Sequence, residues 1–212
     1  MWLSIGKGKM RLMDKEVLEN HKRYIDRLNL YKSYGYDTVG SRLFILRQSQ
    51  PLEGRILEVG TGKGHMSLAL ARAGYSFVSV DISEEEQRFA RLNARYYGLE
   101  DKIDFKIDDA QNLSFGDKTF DVVICICLMH HLEKHYKAID EFLRVLKPEG
   151  KIVLSDYSKE GLDVIGRVHS DEGRVHPYSL IGLSGIEDYL KQKHLNYKKT
   201  KDKHHEILII KP

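Results

Sequence analysis

The chain has 212 residues, 42% of them hydrophobic and 31% charged, with a net charge of +3. That length builds one large domain with a well-buried core rather than two. A mild basic excess, with no low-complexity tract and no repeat at solenoid or propeller spacing, gives no sign of a nucleic-acid-binding or fibrous protein.

Residues 1–13 are basic but lack a continuous apolar stretch, so they do not read as a secretory signal. A helix over 14–28 follows, with Val17, Leu18, Tyr24, Ile25 and Leu28 near helical spacing. Tyr31, Tyr34 and Tyr36 lie in a connector broken by Gly35, and a second helix over 37–48 stops before Pro51. From Gly54 onward strands and helices alternate. Strands are expected over 55–59, 77–80, 103–107, 120–127 and 151–155. Helices are expected over 64–73, from the Ser83 cap onward and over 134–146. The fourth strand is apolar throughout, as a central strand covered on both faces must be. This alternation forces a mostly parallel, doubly wound α/β sheet. The tail differs: after a helix over 184–193, strands over 197–202 and 205–210 are joined by a tight turn, which only antiparallel partners allow.

No segment approaches the roughly 20 apolar residues that span a bilayer. Cys125 and Cys127 sit two apart in one strand, which holds their Cα atoms roughly 6.5 Å apart, near the limit for a disulfide. Both points lead us to expect a soluble, cytoplasmic protein. The lysines between Lys191 and Lys203 read as a solvated helix face and edge strand.

The strongest chemical signal is Glu58-Val59-Gly60-Thr61-Gly62-Lys63-Gly64, a glycine-rich turn between strand and helix. Its spacing is G-x-G-x-G, not the G-x-G-x-x-G of dinucleotide enzymes, and no Gly-Lys-Ser/Thr follows. Asp81 ends the second strand, where an acid can accept both hydroxyls of an adenosine ribose. Asp108-Asp109-Ala110 follows the third strand at the same carboxyl edge, where open α/β sheets bind ligands.

With Ile56 to Gly64, Val80-Asp81-Ile82-Ser83, Asp108 to Leu113, Phe120-Asp121-Val122-Val123 running into Met129-His130-His131-Leu132, and Leu143 to Gly150 in this order, the chain resembles the class I S-adenosylmethionine-dependent methyltransferases. Within that family it is most similar to the small-molecule group that includes quinone-biosynthesis enzymes. The resemblance covers residues 54–155. It implies a seven-stranded Rossmann-like sheet of order 3-2-1-4-5-7-6, with the last strand antiparallel beside the fifth, and S-adenosylmethionine as cofactor. It also implies that Glu58 holds the methionine amino end through the loop and that Gly60, Thr61, Gly62 and Gly64 line the methionine moiety. Asp81 would take the ribose, Ile82 would lie against adenine, Asp109 would accept from the adenine amino group with Ala110 beside it, and Cys127 would border the cofactor. An NAD-type protein would need a pyrophosphate site that this spacing fits poorly. A non-catalytic domain of the same fold is the other alternative.

The acceptor is expected to be a small molecule, ahead of a protein side chain or RNA. His130 and His131 are the candidate catalytic groups, and Tyr31, Tyr34, Asp156, His169 and His176 the candidate substrate residues. Cys127, His130 and His131 have metal-ligand chemistry. The small-RNA 2′-O-methyltransferases, which resemble the core, place Glu-x-x-Glu-His ligands at these positions. Only His131 keeps that pattern, so no metal is expected. One methyltransferase domain fills the chain: a helical cap over 1–50, a cofactor core over 51–160, and a substrate-side loop, helix and hairpin over 161–212. The cap and the loop are expected to cover the methyl end of the cofactor.

Overall fold

The computed structural model describes residues 14–173 and 183–212. The order is α1 (Lys15–Ser33), α2 (Thr38–Gln48), β1 (Ile56–Val59), α3 (His65–Arg72), β2 (Phe77–Asp81), α4 (Glu84–Tyr96), β3 (Ile103–Ile107), β4 (Phe120–Ile126), α5 (His135–Val145), β5 (Leu146–Tyr157), α6 (Lys159–Asp171), α7 (Leu183–Gln192), β6 (Asn196–Lys201) and β7 (His205–Lys211). Local chemistry sets the helix starts. The Asp14, Asp37, Ser83 and Ser158 side chains each accept a backbone N–H in the first turn of their helix.

The sheet runs β3-β2-β1-β4-β5-β7-β6, the order that the resemblance implied. β1 to β5 pair in parallel, while β7 is antiparallel to both β5 and β6. Alternation along β4 divides the core. Val123 and Cys125 face one apolar layer with Ala138, Ile139 and Phe142 of α5 and Ile186 of α7. Val122, Ile124 and Ile126 face the other, with Ile45 of α2 and Met66 and Leu70 of α3. A third cluster joins Tyr31 and Tyr36 to Val164, Ile165 and Val168 of α6.

Three elements differ from expectation, one of them β5, which runs Leu146–Tyr157 rather than over 151–155. α1 continues to Ser33, which puts Tyr31 on the helix rather than in a connector. α6 occupies part of the segment expected as a loop, where Gly161 and Gly166 weaken the helical signal. Gly161 is required by tertiary contact: a Cβ there would lie 2.2 Å from the His204 carbonyl oxygen, so α6 seats directly on the turn between β6 and β7.

Candidate cofactor and acceptor site

At the carboxyl edge of the sheet the chain turns from β1 into α3 with Gly60, Gly62 and Gly64 at φ of 87°, 48° and 84°. L-residues avoid this region, so the turn depends on its glycines. They differ in what surrounds them. A Cβ on Gly64 would stand 2.9 Å from the Ala90 Cβ, so this glycine lets α3 start against α4. A Cβ on Gly62 would meet nothing within 4 Å, so the space above the loop is open. The loop is braced from β2: Gly60 and Thr61 donate N–H bonds to the Val80 carbonyl at 2.8 and 3.0 Å. Gly62 N–H donates to Asp81 Oδ2 at 2.7 Å, and Asp81 Oδ1 accepts from Ser83 N–H at 2.9 Å.

Glu58 lies beneath the loop and is 1% exposed. Its Oε2 accepts from Ser67 Oγ and Ser79 Oγ, both at 2.6 Å, while Oε1 is buried without a partner. Burial pushes its carboxyl up to about 7, outweighing the two hydroxyl donors, which favour the charged form. Asp109 Oδ1 accepts from Gln111 N–H at 2.8 Å and shapes its own turn.

Two clefts open at this edge and share Gly60. The smaller, about 70 Å³, is lined by Asp81, Ile82, Asp109 and Ala110, and Ile82 is 71% exposed there despite being apolar. The larger, about 400 Å³, is walled by Gly60, Thr61, Gly62, Cys127, His130 and His131. Tyr31 of α1 and His169 of α6 also line it. Cys127 turns the chain at the end of β4 with φ 56°, and burial pushes its thiol up to about 11, so it stays neutral.

The structure brings two of the sequence candidates into direct contact. His130 Nδ1 and Asp156 Oδ1 are 2.6 Å apart, and the same carboxylate accepts from the backbone N–H of His130 at 3.1 Å and of Tyr157 at 2.8 Å. Both side chains are buried, with His130 on the cleft wall and Asp156 behind it. The His131 ring lies 4.0 Å from that of His130. His169 stands 3.4 Å from Arg27, which also pairs with Glu172 at 2.6 Å and donates to the Tyr31 hydroxyl at 2.8 Å. Tyr34 is not on the wall; its hydroxyl donates to Asp171 at the end of α6. His176 lies outside the described residues. Among the described residues no three His, Cys, Asp or Glu side chains are grouped to hold a metal ion, and no helix is long and apolar enough to cross a membrane.

Arg42 and His65 are among the wall residues that the sequence did not point to, whereas Tyr157 follows Asp156 on the acceptor side as expected. For Arg42 a signal existed. Thr38, Arg42, Ile45, Leu46 and Ser49 follow helical spacing, so a cation falls on the stripe that α2 must bury.

Residues 57–154 match the family described as methyltransferase domain. The demethylmenaquinone methyltransferase of Clavibacter sepedonicus is 34% identical over 166 residues, 78% of this chain and 64% of that protein. The chain thus spans less than two thirds of the length of the curated relatives it matches. Among solved structures, the PH0226 protein of Pyrococcus horikoshii superposes with a TM-score of 0.68 at 24% identity, covering 89% of this chain and 91% of that one. A SAM-dependent methyltransferase of Aquifex aeolicus gives 0.65 at 20% identity, covering 80% and 88%. These two likenesses bear on the fold alone. Glycine loop, strand order and family match converge: residues 57–154 form a methyltransferase domain, and the sheet around it has the strand order of the class I S-adenosylmethionine-dependent methyltransferases.

Proposed function

We propose that the chain methylates a small molecule whose accepting atom must lose a proton, such as a phenol, enol or quinol, with His130 as the base. The observation that carries this reading is the buried His130–Asp156 pair on the wall of the larger cleft, beside the glycine loop.

The residues present fit the family's cofactor. The open space above Gly62, the exposed Ile82 at the smaller cleft and the unpartnered buried Oε1 of Glu58 suit a nucleoside with a cationic side arm. Asp81 and Asp109 would hold ribose and adenine, and Gly60 to Gly62 the methionine arm. When bound, S-adenosylmethionine supplies an electrophilic methyl group on sulfur. Asp156 holds the Nδ1–H of His130, which fixes the tautomer with its lone pair on Nε2. His130 then takes the acceptor proton at Nε2 as the accepting atom becomes nucleophilic, and Asp156 stabilises the imidazolium that forms. Tyr31 and His169, which line the cleft from α1 and α6, would limit the water that reaches the displacement. A relative named as a demethylmenaquinone methyltransferase supports a small ring-bearing acceptor.

The test is release of S-adenosylhomocysteine from S-adenosylmethionine with a panel of phenols, quinols, amines and carboxylates. Turnover should be confined to acceptors with an ionisable hydroxyl or activated carbon. His130→Ala should lower kcat by about 10²–10⁴-fold, the usual worth of a positioned base. A panel response restricted to amines, or full activity in His130→Ala, refutes the proposal.

A further inference from the structure

Arg42 of α2 is 6% exposed and lines the larger cleft. A guanidinium keeps its proton in any protein environment, so this is a permanent buried charge. Its contacts are all neutral. Nη1 donates to the Tyr36 hydroxyl at 3.2 Å and to His205 Nε2 at 3.0 Å, and Nη2 to Cys127 Sγ at 3.6 Å. Burial raises the Tyr36 phenol well above its ordinary range and lowers His205 to about 4, so neither carries charge near neutral pH. His65, also on the wall, is lowered to about 3, first by burial and then by Arg42, Arg27 and Lys63.

Among the described residues no carboxylate is ion-paired or hydrogen-bonded to Arg42. Residues 1–13 and 174–182 contain no Asp or Glu at all, so the remainder of the chain has none to offer. Glu58 feels the cation from farther off but shares no hydrogen bond with it. A buried charge without a counter-ion costs several kcal/mol, of order, in an apolar interior, which makes its retention on a cleft wall informative.

We infer that Arg42 anchors the α-carboxylate of the cofactor's methionyl arm. This rests on the cofactor reading above, and the position supports it. Arg42 touches Cys127 at the tip of β4, and both share the cleft wall with Gly60 and Gly62, where the arm would run. The start of α3 closes the same end, and its dipole adds to the attraction for an anion. Tyr36, His205 and Cys127 hold the guanidinium in place without neutralising it, which leaves its charge for the ligand.

The experiment is titration calorimetry on the full chain with two ligands: S-adenosylhomocysteine and its decarboxylated analogue, S-adenosyl-3-thiopropylamine. The native chain should bind the first about 10- to 150-fold more tightly, the range for a hydrogen bond between charged groups. Arg42→Met should remove that preference, with the analogue's affinity changed by less than about threefold, because it never used the charge. A thermal melt adds a second readout. Without ligand Arg42→Met should be at least as stable as the native chain, since Tyr36 can still donate to His205 across 3.0 Å and an unpaired buried charge is gone. Equal affinity of the native chain for both ligands overturns the assignment, whatever the variant does. A preference that survives Arg42→Met overturns it too, as does a variant that unfolds without ligand. Failure of the native chain to bind either ligand instead refutes the cofactor reading itself.

Discussion

Replacing Asp81 by alanine tests the nucleoside half of the site, and two magnitudes can be separated. The first is structural: the carboxylate accepts N–H bonds from Gly62 and Ser83 at 2.7 and 2.9 Å, bracing the loop and the entry to α4. Asp81 is only half-buried, so water can replace the lost acceptor, and the cost is about 1–2 kcal/mol. In a chain of this size that is a fall in Tm of about 2–8 °C. The second is binding: hydrogen bonds from ribose hydroxyls to a carboxylate are worth about 1.5–3 kcal/mol, or about 10- to 150-fold in Kd for S-adenosylhomocysteine. Calorimetry with the 2′,3′-dideoxy analogue separates the ribose contact from a loosened loop. The native chain should bind this analogue about as weakly as Asp81→Ala binds the natural ligand, and Asp81→Ala should no longer distinguish the two. A variant that still prefers the natural ribose by the native margin would show that Asp81 only braces the loop.

Acid should destabilise the chain from pH 6.5 downward. His65 and His205 refuse protons in the fold until about 3 and about 4, whereas the unfolded chain takes them near 6.5, so stability present above 6.5 is lost as pH falls. Glu58, raised to about 7, works in the opposite sense, since its burial costs stability as pH rises from 4.5 to 7. These three groups together account for about one proton between pH 6.5 and 4.5, a slope of about 1.4 kcal/mol per pH unit, and His21 and His204, both lowered first by burial, add to it. Denaturant melts at several pH values should show at least this slope, and His65→Gln should lower it by about 1.4 kcal/mol per pH unit; a flat profile contradicts the assignment. Two glycines of α6 should respond in opposite directions. Gly161→Ala must displace the His204 carbonyl and should lose about 1–3 kcal/mol, whereas Gly166→Ala meets nothing within 4 Å and should gain about 0.5–1 kcal/mol. Equal shifts in Tm would show that α6 does not seat on the hairpin turn.

The features legible in the sequence are those that local chemistry decides. The continuous apolar run of β4, capping by Ser83 and the glycine spacing after β1 all act within a few residues, and each is in place in the structure. Ordered motifs then supplied the strand order through resemblance, since strands that pair across the sheet leave no local trace of their neighbours. What only the tertiary structure decided depends on residues far apart in the chain. His130 and Asp156 were separate candidates until the parallel pairing of β4 with β5 set their ends side by side. Asp81 and Asp109 were expected to accept from a ligand in preference to a turn, and both accept backbone N–H groups of their own turns, with Asp81 also accepting from the glycine loop at Gly62. α6 was hidden by glycines, one of which exists for contact with a turn more than forty residues away. Arg42 was on the page as a cation in a helix, but whether a charge is solvated, paired or stranded is a property of everything folded around it. Its partners come from α2's own approach, from the tip of β4 and from the last strand, and no spacing rule within α2 could have shown that all of them are neutral.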